Sequence, residues 1–237
     1  MRPLALLIAG LASVMVALGG CGGSSHPGPR VFVPASGAVR PGAGPELVAA
    51  LGDSITAGSP MWDPDPQVRQ GIGSPDPHSQ FEYWAQQRLG TAVRFRNCGV
   101  FGERTDQIAR RLDACATSAR VLVIQGGIND IAQGRSVDLA AGDLDAMVRR
   151  GQSAGLRVEL TQVLPWNNGY PQAAPLISRL NGLIDAIGRR RHVVVLGFYG
   201  ALEDSRALGR MRPDLTSDGD HPSVAGYRRL GDLVRLP

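Results

Sequence analysis

Leu47-Val48-Ala49-Ala50-Leu51-Gly52-Asp53-Ser54-Ile55-Thr56 reads as a buried strand that ends in a turn. Its apolar run has no alternation, so both faces of the strand must be covered. Gly52 permits a sharp turn, and Ser54 then stands at the exposed carboxyl end of the strand. A serine hydroxyl alone is a weak nucleophile. It needs a base to take its proton and an acid to orient that base.

Strand and helix signals alternate outward from this stretch. Helical spacing covers 80–89, 105–112, 139–153 and 176–187, and Val224, Tyr227, Leu230 and Val234 mark a closing amphipathic helix. Short apolar runs at 93–95, 120–125, 157–163 and 192–196 read as further strands. Continuous apolar strands separated by helices predict a three-layer α/β/α, flavodoxin-like domain with a parallel sheet of about five strands. Ligands in such sheets bind beyond the carboxyl ends of the strands. Residues 58–79 are Pro-rich and show no periodicity; they form either a lid or pocket wall, or a floppy insertion.

The candidate base and acid lie near the C-terminus, in Asp218-Gly219-Asp220-His221-Pro222. Asp218 and His221 are close enough in sequence to be held together by local structure. Pro222 is expected to start the last helix and stiffen the loop behind His221. In this arrangement His221 takes the Ser54 proton, and Asp218 fixes the imidazole tautomer. Four blocks now stand in order: Gly52-Asp53-Ser54, Asn97-Cys98-Gly99-Val100-Phe101-Gly102, Gly127-Ile128-Asn129-Asp130, and Asp218 to His221. Each is expected just after a strand. Together they resemble the SGNH (GDSL-like) hydrolase family over 46–237; Ile55 stands where the older family name has Leu.

The resemblance implies a serine esterase that works through an acyl-enzyme, with Ser54, His221 and Asp218 as its triad. It also implies an oxyanion hole built from the Ser54 and Gly102 N–H groups and the Asn129 side-chain amide. Fixed donors of this kind stabilise the charge on a tetrahedral intermediate. Gly102 is preferred to Gly99 because the family's glycine lies five residues after the Asn97 position. No cofactor is expected, and His26, His78 and His192 show no metal-ligand spacing. Short-chain acyl esters are the expected substrates, since aromatic residues make up only 5% of the chain and the 58–79 segment is polar. The alternatives are a carbohydrate O-deacetylase, a lysophospholipase, or a non-catalytic cell-envelope binding module on the same fold.

A decoy must be set aside. Gly151-Gln152-Ser153-Ala154-Gly155 matches the Gly-x-Ser-x-Gly nucleophile elbow, which requires a strand before the serine and a helix after it. Ser153 has the reverse order and is expected at the amino-terminal edge of the sheet.

The first residues read as an address. Met1-Arg2 is basic, and 4–18 is almost wholly apolar but too short for a membrane span. Leu18-Gly19-Gly20-Cys21 resembles the bacterial lipobox, which implies a lipoprotein signal peptide over 1–20 and a lipid on Cys21. An uncleaved anchor, or an ordinary signal peptide with a chance cysteine, is the plainer alternative. Residues 21–45 are rich in Gly, Pro and Ser and read as a tether. The domain over 46–237 is then held on the outer side of a membrane through its lipid.

All 25 basic residues are Arg, and the formal net charge is +4. Pairs such as Arg110-Arg111 and Arg149-Arg150 are explained by solvated helix faces and termini. No basic stripe with interleaved aromatics appears, so nucleic acid is not an expected partner. The oligomeric state is not legible. Cys98 and Cys115 face an oxidising compartment, which favours a disulfide. A helix of roughly nine residues between them would span about 13 Å, however, more than a disulfide bridges. Both outcomes stay open.

Overall fold

The computed structural model describes residues 44–236. The expected signal peptide, Cys21 and almost all of the tether lie outside the described residues. Within them, β1 (Glu46–Gly52), β2 (Val93–Gly99), β3 (Val121–Ile124), β4 (Arg157–Thr161) and β5 (Val194–Leu196) form one parallel sheet in the order β2-β1-β3-β4-β5. This is the flavodoxin-like order, whose switch point lies between β1 and β3.

Alternate residues of each strand serve different cores. Ala49 and Leu51 of β1 and Leu122 and Ile124 of β3 face one layer. That layer holds α4 (Thr105–Arg110), α5 (Leu112–Ala116), α7 (Val137–Ser153) and α8 (Ala174–Arg191). Val48, Ala50, Val121 and Val123 face the other, which holds α3 (Phe81–Leu89), α9 (Phe198–Leu202) and α10 (Val224–Leu233). The unbroken apolar runs in the sequence follow from this two-sided burial. α7 buries Ala140, Leu144, Met147, Val148 and Gly151 along one stripe, and Ser136 caps its start by accepting the Asp138 N–H. Truncating Leu144 to Ala here costs about 2–5 kcal/mol by cavity formation.

Several expectations need correction. The helix expected at 105–112 is two short helices that break at Arg111. Its guanidinium turns back to the carbonyls of Gly52 and Cys98. This break brings Cys115 to Cys98 with a Cα–Cα distance of 6.0 Å, and the two form a disulfide. One straight helix would have held the two cysteines too far apart. The last helix starts at Val224 with Ser223 as its cap, not at Pro222. Pro222 pairs instead with Thr216 in an isolated bridge. The Asp218–His221 loop does not follow a strand of the main sheet. It follows α9, an antiparallel hairpin of β6 (Glu203–Asp204) and β7 (Ala207–Met211), and a 3-10 turn at Pro213–Leu215. These elements are too short to show a period in the sequence.

Residues 58–79 contain α2 (Pro66–Gln70) and are tied into the fold. The Ser59 N–H donates to Ser54 O, and the Tyr227 hydroxyl donates to Ser59 O. Arg69 lies over the Trp62 ring at 4.5 Å. The Trp84 indole N–H donates to His78 O.

Candidate active site

β1 delivers Ser54 to the start of α1 (Ser54–Ala57), where Asp53 is the N-cap and its Oδ1 accepts the Ile55 N–H at 2.9 Å. Gly52 is required for space rather than for an unusual backbone angle. A Cβ there would meet Thr56 Oγ1 at 2.2 Å and Gln125 Oε1 at 2.5 Å. Gln125, just after β3, accepts the Asp53 N–H and the Thr56 hydroxyl. Asn97, in β2, donates to Thr56 O. The serine turn is thereby fastened to the strands on both sides of β1.

The structure brings the three residues of the expected triad together. His221 Nε2 lies 3.1 Å from Ser54 Oγ, across a separation of 167 residues. Asp218 Oδ2 lies 2.8 Å from His221 Nδ1. Asp218 Oδ1 accepts the backbone N–H groups of Asp220 and His221 at 2.8 and 2.7 Å. Burial pushes the Asp218 carboxyl up, but these bonds and the His221 ring outweigh it and hold it below the usual value. Asp218 therefore stays ionised near neutral pH and can stabilise a positive imidazolium. Ser54 is buried to 5% exposure, while Asp53 is wholly buried. Burial pushes the Asp53 carboxyl up to about 6, against the pull of the Ile55 N–H.

The oxyanion candidates differ in availability. The Gly99 N–H donates to Asn97 Oδ1 at 2.9 Å, and a Cβ on Gly99 would strike Ala57 N at 2.0 Å. Gly99 is thus a close-packing glycine between β2 and α1. Gly102 has φ +77°, with open space around it. Among the described residues nothing accepts the Ser54 or Gly102 N–H. Asn129 sits in α6 (Ile128–Ala132), just after β3, and one hydrogen of its amide goes to Glu103 O at 3.0 Å. An amide nitrogen carries two, so one remains. Wholly buried Asp130 accepts both the Thr105 N–H and the Thr105 hydroxyl at 2.9 Å and pairs with Arg135. That pins α6 to the loop carrying Gly102.

Ser153 ends α7, exposed, and β4 begins after it. It lies away from the carboxyl edge, as expected. The solvated reading holds for Arg110, whose side chain is 77% exposed, but not for Arg111. Arg111 caps strand carbonyls beneath the site and pairs with Glu103 at 2.6 Å. Gln125 and Trp166 to Asn168 also escaped sequence reasoning. A polar residue ending an apolar strand, and a Trp-Asn-Asn-Gly turn after another, were the available signals. Among the described residues no group of three or more His, Cys, Asp or Glu could hold a metal ion.

The GDSL-like lipase/acylhydrolase family model matches residues 50–229.

The chain belongs to that family.

It is accordingly a hydrolase acting on ester bonds. No curated protein matches it in sequence. Solved structures share its fold. A protein of the G-D-S-L family from Desulfitobacterium hafniense is 20% identical, with a TM-score of 0.65, covering 79% of this chain and 96% of that one. A GDSL-like lipase from Bacteroides thetaiotaomicron is 22% identical, with a TM-score of 0.61 and coverages of 79% and 85%. A variant of an acetyl xylan esterase from Geobacillus stearothermophilus is 18% identical, with a TM-score of 0.62 and coverages of 79% and 92%.

Proposed function

We propose that the chain is a serine esterase that cleaves short-chain acyl esters through an acyl-enzyme on Ser54. The observation that carries this reading is the hydrogen-bonded series from Ser54 Oγ through His221 to Asp218. His221 Nε2 accepts the serine proton as Oγ attacks the ester carbonyl. The tetrahedral oxyanion takes hydrogen bonds from the Ser54 N–H, the Gly102 N–H and the free hydrogen of the Asn129 amide. Collapse expels the alcohol, which takes its proton from His221. Water then enters by the same route and releases the acid, regenerating Ser54.

The test is turnover of p-nitrophenyl esters from acetyl to palmitoyl. Ser54→Ala should lower kcat on the order of 10⁴-fold or more, and a fluorophosphonate should label Ser54. Rates should fall as the acyl chain lengthens; a steady rise towards palmitoyl would reject the short-chain reading. Turnover of acetylated sugars in preference to simple esters would move the assignment to an O-deacetylase, and turnover of lysophospholipids to a lysophospholipase. No turnover of any ester, with no labelling, would leave the binding module.

The lipid on Cys21, and with it a membrane-held location outside the cytoplasm and the division into signal peptide, tether and domain, is likewise our proposal. Cys21→Ser should abolish incorporation of labelled fatty acid; unchanged incorporation rejects it.

A further inference from the structure

The Asp218–His221 loop has no main-sheet strand leading into it, yet it must hold an imidazole against a serine at the end of β1. Its internal bonds shape it without placing it. The Thr216 hydroxyl donates to His221 O and accepts the Gly219 N–H, and the Ser217 N–H donates to His221 O. What fastens it to the sheet is a run of consecutive residues beyond the carboxyl end of β4. The Trp166 indole N–H donates to Asp220 Oδ1. The Asn167 N–H donates to Gly219 O at 2.9 Å. The Asn168 amide donates to Asp218 O at 3.0 Å. The Asn167 side chain also accepts the Met211 N–H at 2.6 Å and donates to Met211 O at 3.1 Å, so it holds the end of the hairpin that feeds the loop.

We infer that Trp166, Asn167 and Asn168 are positioning residues for the hydrolytic step, which hold the loop carrying His221 through Asp220, Gly219 and Asp218. This rests on the reading of Ser54, His221 and Asp218 as the reacting series. Asp218 and Asp220 flank Gly219, and Asp218 is the one that bonds the imidazole. The indole has one donor and no acceptor, and it engages Asp220. Asp218 is left to bond His221 through both its oxygens. Gly219 carries a matching constraint. Its φ is +89°, and a Cβ there would lie 2.7 Å from the Asn168 amide oxygen. The loop therefore needs glycine both for its backbone and for the approach of Asn168. A charge-assisted bond from the indole to a carboxylate is stronger than a neutral one, so Trp166 is the member whose loss is felt most.

The experiment uses the full chain, with kcat and KM for p-nitrophenyl acetate and the rate of fluorophosphonate labelling read together. Trp166→Phe keeps an aromatic ring, though a smaller one, and removes the donor. It should lower kcat and the labelling rate in parallel, by about ten- to a hundredfold, with KM within about twofold. Asp220→Ala should give the same loss, and Asp220→Asn, which keeps an acceptor for the indole, should recover most of it. The double variant Trp166→Phe/Asp220→Ala should lose no more than either alone, because both remove one bond. Labelling of Ser54 in Trp166→Phe at the wild-type rate overturns the inference, as does strict additivity in the double variant. Failure of the wild-type chain to label at Ser54 would instead reject the functional reading beneath it.

Discussion

Ser54 and Ser153 are each followed by Asp218 and His221 in the chain, so chain order cannot choose between them. Their surroundings can. Ser54 follows a strand and lies 3.1 Å from His221 Nε2, whereas Ser153 ends a helix at the opposite edge. Ser153→Ala should leave kcat within about twofold of the parent, since an exposed helix-end serine makes no transition-state contact. Fluorophosphonate label recovered on the peptide containing Ser153 would contradict this. Phe101 stands beside the same site, 64% exposed, with its ring 6.1 Å from that of His221. A ring in that position can meet the apolar part of an ester. Phe101→Ala should raise KM for p-nitrophenyl butyrate several-fold and change kcat little, and an unchanged KM would remove Phe101 from the substrate's path.

At the scale of elements, the break between α4 and α5 does two jobs. It lets Arg111 reach the carbonyls of Gly52 and Cys98, and it swings Cys115 into reach of Cys98. The disulfide closes a loop across a separation of 17 residues, and loop-closure entropy predicts about 3 kcal/mol of stabilisation. In a domain of this size that corresponds to a Tm difference of roughly 6–12 °C. A Cys98→Ala/Cys115→Ala chain should melt lower by an amount of that order and keep its esterase activity at 25 °C, because neither sulfur touches Ser54, His221 or Asp218. Equal melting temperatures with and without reductant would show that the bond adds no stability.

Across the whole molecule, buried carboxyls set an unusual dependence of stability on pH. Glu159, on β4, is 3% exposed with both oxygens unpartnered, and burial pushes it up to about 7. Asp53 is pushed up to about 6, and buried, unpartnered Glu82 well above the ordinary value. A raised carboxyl keeps its proton in the folded state after the unfolded chain has lost it. The stability linked to that proton is complete below the unfolded pKa and is lost as pH rises through the folded one. For Glu159 the window runs from 4.5 to about 7, with a full effect on the order of 3 kcal/mol. Asp145 acts in the opposite sense. Its bonds to Arg191 and Arg190 hold it at about 2, so its contribution is present above 3.8 and is lost as pH falls towards 2. The fold should therefore be most stable in mild acid. Its Tm should fall between pH 5 and pH 8, and Glu159→Gln should narrow that fall. A Tm that rises from pH 5 to pH 8, or a Glu159→Gln chain with the parent's slope, would refute the assignment.

Much of this was legible in the residues themselves. Leu47 to Leu51 and Val121 to Ile124 are short apolar runs without alternation and with glycine close behind, which suits a strand covered on both faces. The order of strands and helices then required a parallel sheet, and the four blocks carried the family and the residues now found together. Such readings succeed where the determining force is local: burial period, turn chemistry, a short loop. Tertiary structure decided what depends on contacts between distant segments. The hairpin before Asp218 has too few residues to show a period. Arg111 resembles its exposed neighbour Arg110 until the ends of β1 and β2 supply carbonyls for it. Cys98 and Cys115 meet only because the helix between them breaks. Trp166 to Asn168 have no visible tie to Asp218–His221, since hydrogen bonds across fifty or more positions leave no mark on either segment alone. Spacing along the chain encodes which face a residue turns to the core, but not which distant group will be waiting there.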